Sequence, residues 1–205
     1  MKRQIKQSPK LPAEARRQQL LMAAHNLFDK KGYRATTLDD IATEVGLTKG
    51  AVYHHFRNKE AILLELTQMI LNLYQDGVGK LPRGSLQPGE LIRRLKKIDG
   101  EAPMHGARHN LSLLAEIIQI PRIRRAIDDG YEEFLGLCTR CLDPTLATSR
   151  KGLWQLALLT VNFYDGLCWG SFMHPNHIDF DKQARLFTKH FDAGKPGKAR
   201  NRRGK

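Results

Sequence analysis

Val45-Gly46-Leu47 interrupts two short apolar stripes and limits what this chain can fold into. Before it, Leu38, Ile41, Ala42 and Val45 recur at i, i+3, i+4 and i+7; after it, Val52 and Phe56 stand one helical turn apart. The spacing predicts two short helices joined by a tight glycine turn. Thr37 and Asp40 form a capping-box pattern at the first, and Thr48 is placed to cap the second, which runs to about Phe56. Leu20, Ala24, Leu27 and Phe28 mark a preceding helix, with Pro12 near its start and Gly32 just past its end.

The same periodicity continues along the chain, and no convincing period-two alternation interrupts it. The expected fold class is therefore all-α. Asn58 caps a long fourth helix carrying Ile62, Leu66, Met69, Ile70 and Leu73. DGVGKLPRGSLQP, residues 76–88, reads as a loop. Further helices are expected at Glu90–Asp99, His105–Ile120, Arg122–Leu142, Ser149–Met173 and Asp179–Asp192. Ser149–Met173 is apolar almost all round, which predicts burial on every side. Gln155, Asn162 and Asp165 interrupt it, so a membrane span is rejected. The expected organisation is a basic disordered arm at 1–12, a helix-turn-helix head at 13–58, a helical body at 59–193 and a basic disordered tail at 194–205.

Charge separates these regions. The net charge is +13, and it sits at the ends. Residues 1–60 hold 12 basic against 6 acidic side chains, residues 194–205 hold 6 basic and no acidic ones, and the middle is nearly balanced. A localised basic surface favours a polyanion, nucleic acid above all, or an anionic membrane; a solvated surface with a charged tail would carry the same charge. The three cysteines, Cys138, Cys141 and Cys168, do not form a secreted disulfide framework. Met1–Lys10 lacks the apolar core of a signal peptide, and the expected location is cytoplasmic.

On a helical wheel at 100° per residue, Val52 and Phe56 define the buried side of the second short helix. His54 and Gly50 fall opposite, and Tyr53 and His55 flank the buried stripe. Small residues at the tip allow close backbone approach to a duplex, while flanking hydroxyls and imidazoles reach phosphates. A capped surface helix whose rings merely cover neighbours would use the same residues.

TLDDIATEVGLTKGAVYHHFRNK, residues 37–59, resembles the DNA-binding domain of the TetR family of repressors, and the stripe Leu20–Phe28 with GYRATT matches that family's first helix and turn. The resemblance covers roughly residues 14–66. It implies base-facing positions at Lys49, Gly50, Ala51 and His54, and phosphate contacts from Thr37, Thr48, Tyr53, His55 and Lys59. It implies a homodimeric regulator that binds a pseudo-palindromic double-stranded operator, is joined through helices at about 149–173 and 179–192, and is released by a small-molecule effector. Asp165-Gly166-Leu167 before a Phe-containing last helix resembles choline/betaine-type members. Glu116, Tyr131, Phe134, Trp154, Leu158 and Asn162 are the candidate effector-pocket residues, though a filled core and ordinary interhelical hydrogen bonds would use them equally well.

Other constellations carry less. Cys138 and Cys141 form C-x-x-C inside a helix, where a pair of small core residues is the simpler reading than a redox couple. His105 with His109 and His174 with His177 lack the further ligands a metal site needs. No metal or cofactor is expected. No nucleophile–base pair or phosphate-binding glycine loop supports an enzyme. The competing reading is a helical adaptor whose helix-turn-helix docks protein instead of DNA.

Overall fold

The computed structural model describes residues 11–101 and 111–191. Its α-helices are α1 (Ala13–Lys31), α2 (Leu38–Glu44), α3 (Lys49–His55), α4 (Lys59–Gly79), α5 (Pro88–Gly100), α6 (Leu111–Gln119), α7 (Pro121–Cys141), α8 (Arg150–Met173) and α9 (Phe180–Phe191). A 3-10 turn, Pro144–Leu146, follows α7. The all-α class holds among the described residues, where the one β-type pairing is an isolated bridge between Leu86 and Leu142. The basic arm, apart from Leu11 and Pro12, and the basic tail lie outside the described residues, as do His105 and His109.

Two compact units divide the chain: residues 1–73 with 102–131, and residues 74–101 with 132–205. In the first, Leu20, Leu21, Phe28, Ile41, Val52, Phe56, Ile62 and Leu63 form one buried cluster. Ile117 of α6 and Ile123 of α7 belong to that same cluster. The head is therefore not packed on its own three helices alone, because α4, α6 and the start of α7 complete its core.

Local chemistry sets the helix ends in this unit. Pro12 precedes α1, and Gly32 closes it at φ 85 with its N–H donated to Phe28 O. Buried Thr36 donates its hydroxyl to Gly32 O at 2.8 Å, which fixes the chain's turn into α2. The capping box is complete: Thr37 Oγ1 accepts from Asp40 N–H, and Asp40's carboxylate accepts from Thr37 N–H at 2.7 Å. Lys31, 2.6 Å away, joins Thr37 in holding that carboxyl far below the usual carboxylate range. Gly46 takes φ 68, and Leu47 N–H then reaches Ala42 O at 2.8 Å. Thr48 accepts from Ala51 N–H and starts α3; Asn58 Oδ1 accepts from Ala61 N–H at 2.8 Å and starts α4.

The second unit is built on Leu91, Ile92, Leu95, Cys138, Leu142, Val161, Tyr164 and Phe187, all buried. The sequence places a loop from residue 76, but α4 continues through Asp76–Gly79. Packing overrides the two glycines: Val78 is fully buried, and a Cβ at Gly77 would lie 2.8 Å from Ile98 of α5. The following loop is tied back to the end of α7 by Gly84 N–H to Arg140 O and Leu86 N–H to Cys141 O, 2.8 and 2.9 Å. Cys138 and Cys141 lie in this core, and burial pushes both thiols above their ordinary pKa. Among the described residues, no group of three or more His, Cys, Asp and Glu side chains is arranged to hold a metal.

The expectation that α8 is covered on every side is not met within one chain. Leu159, Phe172 and Met173 are each about half exposed, as are Leu186 and Phe191 of α9, and Asn162 is exposed as well. An all-round apolar composition requires burial, and the single chain supplies it only along Ala157, Thr160, Val161, Tyr164 and Leu167. Among the described residues, no helix is long and apolar enough to cross a membrane.

Gly46 is the most sensitive backbone position in the head. At φ 68 an alanine pays about 1–2 kcal/mol of left-handed strain. Urea unfolding of Gly46→Ala should show that loss, with an unchanged m-value.

Candidate nucleic-acid interface

α3 presents two different sides. Val52 and Phe56 are 0% and 1% exposed, which anchors the helix to the core. Arg17 of α1 braces it from behind: its guanidinium lies 4.3 Å from the Phe56 ring, donates to His55 O at 2.9 Å and pairs with Glu65 of α4. The opposite side is bare. A Cβ built at Gly50 meets no atom within 4 Å, and His54 is exposed. Tyr53 is 48% exposed on one flank. His55 is half-buried on the other, with its ring edge-on to His54 at 5.5 Å. Partial burial, helped by His54, Arg17 and Arg16, lowers the pKa of His55 below its ordinary value and favours the neutral imidazole.

Lys49 begins α3 and is held by α2. Its ammonium lies 2.9 Å from Asp39 Oδ2 and 5.9 Å from the Tyr53 ring centre. Both partners of the ion pair are more than half exposed, so it is a weak tether that an external anion can replace.

Beside α3 lies a cradle of about 460 Å³, lined by Tyr33, Arg34, Thr36, Thr37, Tyr53, Arg57 and Lys59 among others. Three cations and the Tyr53 phenol surround the start of α4, where free backbone N–H groups also favour an anion. Lys59 is already engaged there. Its Nζ donates to Tyr33 O at 2.7 Å and Arg34 O at 3.1 Å and lies 4.6 Å from the Tyr33 ring centre. Burial lowers its pKa from the usual lysine value. Two of its three donors thus hold the turn between α1 and α2, and one is left to point outward.

Arg34 and Arg57 join this cradle without having been singled out from the sequence. The available signal was the basic residues inside GYRATT and FRNK, where helix spacing alone says nothing about the direction of a loop side chain. Thr37 is committed to its capping box, while the hydroxyl of Thr48 accepts from Ala51 N–H and keeps its own proton for an outside acceptor. Ala51 is half-buried.

The effector-pocket candidates are divided between the two units. Glu116 and Tyr131 belong to the first unit, and Phe134, Trp154, Leu158 and Asn162 to the second. Glu116 pairs with Arg34 at 2.5 Å. Phe134 is buried with its ring edge-on to Tyr74 at 6.0 Å, and Trp154 and Leu158 are half-buried. A groove of about 940 Å³ in the first unit, between α4 and the α6–α7 corner, is lined by none of the six.

Residues 20–66 match the family model described as bacterial regulatory proteins, tetR family. The head of this chain therefore matches the TetR family over these residues. The transcriptional repressor KstR2 of Mycolicibacterium smegmatis is 40% identical over 65 residues, which span 32% of this chain and 31% of KstR2. Over most of the curated relatives that it matches, the chain spans only about a third of their length. The transcriptional regulator AcrR of Shigella flexneri aligns over 194 residues at 23% identity, covering 87% of this chain and 88% of AcrR. A transcriptional regulator from Saccharomonospora viridis, solved in complex with choline, shares the fold with a TM-score of 0.65 at 20% identity, over 86% of this chain and 97% of that one.

The bracing role of Lys59 is measurable apart from any ligand. Lys59→Met removes charge-assisted bonds to two carbonyls of the α1–α2 turn. The variant should lose about 1–2 kcal/mol in chemical denaturation. An unchanged midpoint would mean that the turn holds without it.

Proposed function

We propose that this protein is a cytoplasmic, ligand-responsive transcriptional regulator, acting as a repressor, whose paired heads grip operator DNA and release it when an effector binds. The observation that carries the reading is the asymmetry of α3: two apolar anchors fully buried, and a Gly50–His54 edge with open space before it. A helix in a major groove needs that combination, because the backbone must come close while the scaffold stays rigid. In this reading Lys49, Gly50, Ala51 and His54 face base edges. Thr48, Tyr53, His55 and Lys59 meet phosphates, and Arg34 and Arg57 join them from the cradle, while Thr37 keeps its donors for Asp40.

Two heads are needed to read a pseudo-palindrome about 34–36 Å between half-site centres. The apolar residues left open on α8 and α9, Leu159, Phe172, Met173, Leu186 and Phe191, support a homodimer through these helices. Effector binding in the second unit, near Phe134, Trp154, Leu158 and Asn162, would favour a spacing of heads that cannot dock, and operator affinity falls by the coupling energy. The choline seen with the Saccharomonospora viridis regulator supports a small organic effector as the class.

Fluorescence anisotropy with duplexes from the region upstream of its own coding sequence tests the reading. One duplex should bind at least a hundredfold more tightly than random DNA at moderate salt. Tyr53→Phe should weaken every duplex, whereas His54→Ala should change the preferred base at one position of each half-site. Salt-labile retention with no duplex preference would favour a protein-docking adaptor and sink the regulator.

The dimer has its own test. Leu159→Glu places a charge on the open face of α8 without touching the buried one. Sedimentation should show a dimer for the unaltered protein and a monomer for the variant, with operator affinity reduced at least tenfold.

A further inference from the structure

Glu116 is the one acidic side chain of α6, and it is only 17% exposed, yet it pairs with a guanidinium that is 74% exposed. Arg34 Nε lies 2.5 Å from Glu116 Oε1. Arg34 itself lines the cationic cradle beside α3, together with Arg57, Lys59 and the Tyr53 phenol. The carboxylate also acts on the neighbours of that pair: its field raises the pKa of both Lys59 and Tyr33, against the effect of burial on Lys59. α6 and the head share one core through Ile117, so Glu116 is carried on a helix fixed to the same unit as Arg34.

Resting on the DNA-binding reading above, we infer that Glu116 is an internal competitor for the DNA phosphate that Arg34 meets, and that it sets operator affinity without touching DNA. The carboxylate occupies the guanidinium face that a phosphate oxygen would take. An exposed arginine can pivot from one oxyanion to the other, but the cost of leaving a largely buried carboxylate without its cation favours the pair. The competition leaves a signature in salt dependence. While Arg34 is held by Glu116 it neutralises no phosphate and releases no condensed cation from the duplex. The net ion release of this contact in the unaltered protein is therefore close to zero. Neutralising the carboxylate exposes the full contribution of Arg34.

A double-mutant cycle reads this out. Glu116→Gln is close to isosteric and should raise affinity for both operator and random duplex roughly three- to tenfold at about 0.1 M salt. It should steepen the slope of log affinity against log salt by about 1. Arg34→Gln alone should change affinity less than about threefold, because the pair already cancels most of what Arg34 offers. In the Arg34→Gln background, Glu116→Gln should have less than half of its effect on log affinity, and the added slope should vanish. A circular-dichroism melt of each variant separates a binding change from loss of fold, and Arg34→Gln, at a well-exposed side chain, leaves the core untouched.

Equal gains from Glu116→Gln with and without Arg34 would reduce Glu116 to a contributor to net charge and overturn the inference. So would an unchanged salt slope. If the unaltered protein shows no duplex preference, the regulator reading itself fails and takes this one with it; if it binds its operator normally and the cycle shows no coupling, only the competitor role falls.

Discussion

Burial of Val52 and Phe56 is the contact on which the rest depends. α3 is two turns long and has little helical stability of its own. Docking these two side chains fixes its azimuth, and every outward position follows from that rotation: Gly50 and His54 away from the core, Tyr53 and His55 to the sides. Arg17 reinforces the same orientation by stacking on Phe56 and holding His55 O. Rotating α3 by one residue would bury a histidine and expose an aliphatic anchor, an exchange that costs several kcal/mol on both counts.

Much of this geometry was legible in the residues. Stripes at helical spacing gave the all-α class, and Thr37-Asp40, Thr48 and Asn58 gave three helix starts because capping is a local interaction between neighbours in the chain. The wheel placed His54 outward because helical rotation is nearly constant. What stayed hidden depended on partners remote in sequence. The continuation of α4 through Gly77 and Gly79 rests on burial of Val78 and the approach of Ile98. Arg34 and Arg57 sit at helix junctions, where no periodicity dictates direction. The pairing of Glu116 with Arg34 spans 82 positions, and a carboxylate in an apolar segment invites a pocket reading when its cation is out of sight.

The core of the first unit is shared between segments of different chemistry. Ile117 and Ile123 come from the α6–α7 corner and pack in the cluster that supports α3. Displacement of that corner therefore cannot leave the head untouched, since close-packed interiors transmit strain instead of absorbing it. Lys59 adds a polar strut to the same assembly, tying the first turn of α4 to the carbonyls that lead into α2. Apolar and charged links thus run in parallel from the start of α4 to the turn before α2.

The empty space in front of Gly50 bears on how such a protein diverges. A side chain added there meets no neighbour within 4 Å, so the residue can change without disturbing a packed contact. His54, on the same edge, is equally free of the core. If α3 reads DNA as proposed, lineages can explore new target sequences through these two codons while Val52 and Phe56 stay constant, and the drift of recognition proceeds on a scaffold that selection need not rebuild.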